Sequence, residues 1–148
     1  MIATDRRLRL SKWLIWGTLC FIWGNSLLPG SVSGAFSDAV KQLLAWLLPG
    51  EIPGVTSGGG LLRKLAHFSE FALLGAALTW RFGMKKRKKV LALVCGFGAA
   101  CMDETIQMFV PDRGPAIRDV AIDTCGVLTG MILLLLAHNL KNIKGEQL

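Results

Sequence analysis

The stretch Leu61–Trp80, LLRKLAHFSEFALLGAALTW, decides the fold, because it has the length of a membrane helix and carries charged residues inside it. A transmembrane helix needs about 20 predominantly apolar residues. A charge at the middle of the membrane costs roughly 2.5–3.5 kcal/mol on insertion scales. We therefore interpret the segment as a helix whose Lys64, His67 and Glu70 face the interior of a helical bundle.

The composition of the whole chain is that of a membrane protein. Of its 148 residues, 52% are hydrophobic and only 18% are charged, and the mean hydropathy is +0.47. Soluble domains carry about 25% charged residues. The net charge of +7 does not indicate a nucleic-acid partner, because the basic residues flank the apolar segments as a topology signal. The length suits a single domain, residues 1–148.

Four segments are predicted to span the membrane, at residues 13–28, 61–80, 90–110 and 118–138. The predicted fold is thus an all-α membrane protein, a four-helix transmembrane bundle. Residues 35–48 also show helical spacing of apolar residues but are too short to span. They predict a short interfacial helix in the first outer loop, with Trp46 dipping into lipid, and a lid over the site is the alternative.

The distribution of Lys and Arg predicts the orientation of the spans. Twelve of the 17 basic residues fall on one side of the predicted membrane and five on the other. The positive-inside rule then makes both termini cytoplasmic. The N-terminal segment also has the basic start and apolar core of a signal peptide, with small residues at Ser31–Ala35. Whether it is cleaved is left open by the sequence, and the later spans keep their orientation in either case.

Three predicted helices deliver polar residues to one depth below the outer surface. His67 lies six residues into the second span, Glu104 six residues before the end of the third, and Asp123 five residues into the fourth. At about 1.5 Å per residue, each lies roughly 8–9 Å below the outer end of its helix. The i, i+3 and i, i+4 spacings of their polar neighbours place each polar stripe on one helix face. The sequence therefore predicts a common polar pocket.

Histidine among carboxylates suits general acid–base chemistry, and arginine suits a phosphate head group. The predicted catalytic residues are His67, Asp103, Glu104 and Asp123. The predicted substrate-binding residues are Lys64, Glu70, Gln107, Arg113, Arg118 and Asp119. Carboxylates with a histidine also suit a divalent cation, but no HExxH-type spacing occurs, so no metal ligands are assigned and any cofactor is unknown. The structural alternative is a buried ion-pair network that fixes helix register.

Cysteine and glycine positions predict packing. The four cysteines lie in apolar segments without a CxxC pair, which favours buried apolar side chains over a zinc site. Gly126 and Gly130 have the spacing that lets helices approach closely. We expect this contact inside the monomer, with a dimer seam as the alternative, and the sequence does not indicate an oligomeric state.

Three ordered motifs resemble the VanZ-like family: KLAHFSEFALLG at Lys64–Gly75, DETIQMFVPDRG at Asp103–Gly114 and RDVAIDTCGVLTG at Arg118–Gly130. The family pattern combines Lys-x-x-His-Phe, Asp-Glu-x-x-Gln with a following Pro-x-Arg, and Asp-Val-x-x-Asn with a Gly beyond. The matching residues here are Lys64, His67, Phe68, Asp103, Glu104, Gln107, Pro111, Arg113, Asp119, Val120 and Gly126. Asp123 departs from the pattern, since the family usually has Asn there.

The resemblance implies a small multi-pass protein of the bacterial inner membrane. The family's namesake confers low-level resistance to the glycopeptide teicoplanin, and no established activity comes with the family. Three function classes follow, and whether the protein is an enzyme is left open. It could process an envelope lipid or a lipid-linked precursor with a phosphate head group. It could instead, without catalysis, shield or alter an envelope lipid or exclude the glycopeptide. The third class is a small proton- or ion-coupled carrier.

Overall fold

A computed structural model of the protein describes residues 2–47, 60–114 and 116–145. Within these ranges all regular structure is helical, which confirms the predicted all-α class. The five helices are α1 (Ile2–Ser26), α2 (Gly30–Leu47), α3 (Leu61–Phe82), α4 (Lys86–Gln107) and α5 (Ile117–Gly145). Helices α1 and α5 are longer than the predicted spans. The polar and basic residues that precede the first apolar segment and follow the last one are also helical.

Helices α1, α3, α4 and α5 pack against one another, and α3 and α5 share the most extensive contact. The side chain of Asn25, near the end of α1, donates to Glu70 in the first half of α3. At the opposite end of the molecule, Arg7 near the start of α1 donates to the backbone oxygen of Trp80 near the end of α3. Helices α1 and α3 therefore run in opposite directions. We call the end that contains Asn25 and Glu70 the polar end.

Two of the described helices are long and apolar enough to cross a membrane, Lys86–Gln107 with a mean hydropathy of 1.3 and Ile117–Leu140 with 2.2. Among the described residues, α1 and α3 do not reach the same threshold, and α3 carries charges within it. The helices also expose many large apolar side chains, among them Leu73, Val94, Phe97, Leu133 and Leu136. Such an apolar exterior is typical of a protein whose helices contact lipid.

Glycines bring the backbones of α3 and α5 into close contact. A methyl group at Gly126 or Gly130 would collide with the backbone of Phe68 or Ala72, respectively. From the other side, a methyl group at Gly75 would collide with the backbone of Val127. The prediction that Gly126 and Gly130 allow close packing inside the chain is therefore confirmed.

Helix α2 lies outside the four packed helices. It begins at Gly30, five residues earlier than predicted, and Leu48 at its predicted end lies outside the described residues. The backbone N–H of Gly30 donates to the Pro111 oxygen at 3.2 Å, which attaches the start of α2 to the loop after α4. The side chains of Phe36 and Trp46 are 73% and 78% exposed. This apolar exposure suits an interfacial helix, which stays a prediction.

The prediction of buried cysteines is wrong for three of the four. Cys20, Cys95 and Cys125 are exposed, Cys101 is partly buried, and all four are free. Their helices are apolar on the outer as well as the inner face, so an apolar sequence neighbourhood does not show which face a cysteine occupies.

We predict that Gly130→Ala destabilises the protein by about 1–3 kcal/mol, the usual cost of overpacking a tight interface. Gly98→Ala is the matched control, since a methyl group there would meet no neighbouring atom within 4 Å. Denaturant unfolding of the purified protein in detergent measures both. Equal stability of the two variants would contradict the close α3–α5 contact.

Candidate functional site

Three residues from three helices meet at the polar end of the bundle. Donor atoms of His67 on α3, Asp103 on α4 and Asp123 on α5 all lie within 4.8 Å of one another. Asp103 and Asp123 are only 0% and 1% exposed, whereas the His67 side chain keeps 12% exposure. We call these residues the His–Asp–Asp cluster. The structure thus brings together three of the four predicted catalytic residues.

The apolar core begins one turn below this cluster, and it explains the direction of the polar side chains. Phe71 follows His67 by four residues on α3, and Val127 follows Asp123 by four on α5. Phe71 and Val127 are both fully buried in the core. Residues four apart share a helix face. His67 and Asp123 therefore continue, toward the polar end, the same faces that form the core.

Two hydrogen bonds fix the Asp103 carboxylate. Ser26 Oγ donates to Asp103 Oδ1 at 2.6 Å, and Gln107 Nε2 donates to Asp103 Oδ2 at 2.7 Å. His67 Nδ1 lies 3.8 Å from Asp103 Oδ2, which is within ion-pair range but too long for a hydrogen bond. Asp103 is therefore held in place by Ser26 and Gln107, beside an imidazole to which it is not hydrogen-bonded.

Three further predicted carboxylates surround the cluster, and each has a partner of its own. Glu70 accepts a hydrogen bond from Asn25 at 3.1 Å. Glu104 accepts one from the backbone N–H of Ala116 at 2.8 Å. Asp119 forms an ion pair with Arg63, with 3.6 Å between Nη2 and Oδ2.

Arg113 reaches the polar end from the loop between α4 and α5. Asp112 before it adopts a positive φ of 60°, a left-handed conformation that Asp tolerates better than most residues. Arg113 Nη2 donates to the Asn25 backbone oxygen at 3.2 Å. Burial lowers the pKa of the Arg113 guanidinium, and nearby Arg63 acts in the same direction. An arginine nevertheless keeps its charge in proteins.

The polar end contains many buried polar atoms that lack a hydrogen-bond partner. Unpaired buried groups cost about 1–3 kcal/mol each, and native proteins contain few of them. Here they are His67 Nδ1, Glu70 Oε2, Glu104 Oε1, both carboxylate oxygens of Asp123, and Nε and Nη1 of Arg113. Their concentration at one place makes the polar end the candidate functional site.

The structure does not bring every predicted binding residue into the site. The side chains of Lys64 and Arg118 are exposed, whereas Arg63 pairs with Asp119. Sequence reasoning counted Arg63 only as a topology charge, although it precedes His67 by four residues and so shares its helix face. It also missed Asn25 and Ser26, the two adjacent polar residues at the end of the first apolar segment.

Comparison with known families supports the resemblance in the motifs. The model of the VanZ/LLP1 family matches residues 13–138, which include all of the site residues described above. The chain belongs to the VanZ/LLP1 family. No curated protein and no solved structure matches it significantly. In this VanZ/LLP1 protein, the departure from the expected family pattern, Asp123, lies inside the His–Asp–Asp cluster.

We predict that Ser26→Ala destabilises the protein by about 1–3 kcal/mol, because Asp103 Oδ1 loses its donor inside a buried site. Ser11→Ala is the matched control. Ser11 lies on the same helix and is equally buried, but its hydroxyl donates only to the local Leu8 oxygen. Thermal unfolding in detergent compares the two. A Ser26→Ala protein no less stable than Ser11→Ala would show that Asp103 does not depend on this bond.

Proposed function

We propose that this VanZ/LLP1 protein is an integral protein of the bacterial inner membrane that binds the phosphate head group of an envelope lipid at its polar end. There it carries out proton-transfer chemistry on the head group. The observation that supports this most is the set of unpaired buried polar atoms around His67, on both acidic and basic side chains. They provide donors for phosphate oxygens and a group that can exchange protons.

The proposed topology has four spans, α1, α3, α4 and α5, with both termini in the cytoplasm. Helices α4 and α5 are apolar enough to span by themselves. Arg63, His67 and Glu70 are among the ionisable residues that lower the hydropathy of α3. Each faces a polar side chain of another helix, namely Asp119 of α5, Asp103 of α4 and Asn25 of α1, respectively. The basic residues in the first half of α1, around the turn between α3 and α4 and in the last turns of α5 lie at the end opposite the site. The positive-inside rule then directs the polar end outward.

Arginines are suited to bind the phosphate. Arg63 stands one turn nearer the start of α3 than His67, about 6 Å at 1.5 Å per residue. Arg113 lies in the loop after α4, and two of its buried guanidinium nitrogens have no partner. Guanidinium groups bind phosphate oxygens in a bidentate geometry. A head group held by these two arginines would project its reacting atoms toward His67.

His67 is the proposed proton donor and acceptor, because it is the partly exposed member of the His–Asp–Asp cluster. An imidazole changes its charge near neutral pH and serves most often in this role. Asp103 would orient the ring and stabilise its protonated form. Ser26 and Gln107 hold Asp103 in place for that purpose. If the lipid is a precursor of the cell wall, this chemistry would link the protein to glycopeptide resistance, the property that the family's namesake confers.

A non-catalytic lipid-binding protein is the alternative from a different class. The same arginines would bind the head group, and the acidic residues would serve only to hold the helices in register. A proton-coupled carrier is a further alternative, since ionisable residues inside membrane helices often form proton relays. These alternatives differ from the enzyme in what His67 does.

We predict that Arg113→Gln weakens binding of a lipid phosphate roughly 10–100-fold, the worth of a charge-assisted hydrogen bond of about 1.5–3 kcal/mol. The probe is phosphatidic acid in nanodiscs of phosphatidylcholine, and native mass spectrometry measures which lipid the protein retains. Lys64→Gln is the matched control, because Lys64 is exposed. No preference for phosphatidic acid in the wild type, or equal losses in both variants, would refute the proposed phosphate site.

The His67→Gln variant separates an enzyme from a binding protein. In nanodiscs, His67→Gln should keep the preference for the phosphate lipid. In cells, overproducing the wild type should change the lipid composition of the envelope, and overproducing His67→Gln should not. A lipid composition that responds equally to wild type and His67→Gln would favour the non-catalytic protein. A response that follows the membrane potential or the pH gradient would favour the carrier.

A further inference from the structure

We propose that the His–Asp–Asp cluster binds a divalent transition-metal ion. It offers one imidazole nitrogen and two carboxylates from three different helices. His67 Nδ1 and Asp103 Oδ2 are already 3.8 Å apart, and all three donor atoms lie within 4.8 Å of one another. Ligands bound at about 2.1 Å stand roughly 3–3.4 Å apart. Small side-chain rotations would therefore bring the donors to coordination distance.

Asp123 provides independent support for a bound cation. It is 1% exposed, and neither of its carboxylate oxygens has a hydrogen-bond partner. A purely structural polar network has every buried member satisfied, since a half-satisfied network is less stable than an apolar core. The unpaired oxygens of Asp123 lie beside His67 and Asp103. A cation between the three residues would pair the Asp123 oxygens and His67 Nδ1 together.

The charges around the cluster also favour a cation. The side chains around the cluster that are at least partly buried include five carboxyl groups, on Glu70, Asp103, Glu104, Asp119 and Asp123, and two guanidinium groups, on Arg63 and Arg113. Lys64, Asp112 and Arg118 at the same end are exposed. Asp123 lies close enough to the other four carboxyl groups for their charges to interact. Burying an excess of carboxylates without a counter-ion is costly. A divalent cation would offset that excess at the place where it is greatest.

Asp103 has the surroundings of a metal ligand. Ligating carboxylates are usually oriented by hydrogen bonds from neighbouring side chains, and Ser26 and Gln107 donate such bonds to Asp103. Mixed nitrogen and oxygen donors suit Mn²⁺ or Zn²⁺, whereas Ca²⁺ takes six to eight oxygen ligands. The catalytic role of the ion rests on the proposed function: with His67 Nδ1 bound to the ion, polarisation of a phosphate oxygen by the ion would take the place of proton transfer by His67. Its binding does not rest on that function.

The test uses the full chain, purified in detergent, stripped with a chelator and equilibrated with Mn²⁺ or Zn²⁺ alone. Elemental mass spectrometry after desalting should find one ion per wild-type chain. Asp123→Asn and His67→Gln should each weaken binding more than roughly 100-fold, since even outer-shell partners are worth about 10–100-fold. Glu70→Gln is the matched control: it removes a nearby carboxylate that pairs with Asn25 and lies outside the cluster.

A stability measurement guards against a folding artefact. Asp123→Asn removes an unpaired buried carboxylate, so the metal-free variant should unfold at no lower temperature than the metal-free wild type. Metal should raise the unfolding temperature of the wild type and of Glu70→Gln but not of Asp123→Asn or His67→Gln. If Asp123→Asn does not fold, His67→Gln decides.

Substoichiometric metal in the wild type, or equal binding by wild type and His67→Gln, would overturn the metal site. The nanodisc experiment, repeated with and without metal, distinguishes this failure from failure of the proposed function. A preference for phosphatidic acid without metal binding would remove only the metal. Metal binding without any lipid preference would remove only the lipid function.

Discussion

The close contact between α3 and α5 is the constraint on which the rest of the structure depends. Gly126 and Gly130 of α5 lie directly against the backbone of α3, and Gly75 of α3 lies against the backbone of α5. Because this contact continues toward the polar end, His67 and Asp123 emerge side by side one turn above the core. Helix α4 then needs to supply only Asp103 to complete the cluster.

The site combines features that would each be unfavourable alone. Buried carboxylates, an imidazole and a guanidinium with unpaired nitrogens lie at one end of a bundle whose exterior is apolar. Such groups are retained in membrane helices mainly where they serve a function. A phosphate held by arginines and a cation held by the His–Asp–Asp cluster would pair most of them. The two proposals therefore account for opposite charges at the same end of the molecule.

The sequence predicted the helices and a common depth for His67, Glu104 and Asp123, because helix rise and alternating direction fix the depth of a residue. In the structure Asp103, the neighbour of Glu104, joins His67 and Asp123 instead. It did not predict which neighbour on a helix faces inward. Adjacent residues differ by about 100° around the axis, so Lys64 was chosen where the structure uses Arg63. Ser26 was missed because its partner lies on another helix. The cysteines were misassigned since both faces of their helices are apolar.

The most direct test of the account is thiol cross-linking in intact membranes, in a background without the native cysteines. A His67→Cys and Asp123→Cys pair should be joined efficiently by a short bifunctional thiol reagent. A Leu65→Cys and Asp123→Cys pair should be joined poorly, because Leu65 is 49% exposed and lies about 160° around the α3 axis from His67. Absence of the first cross-link, or equal yields for both pairs, would contradict the convergence of the three helices on one site.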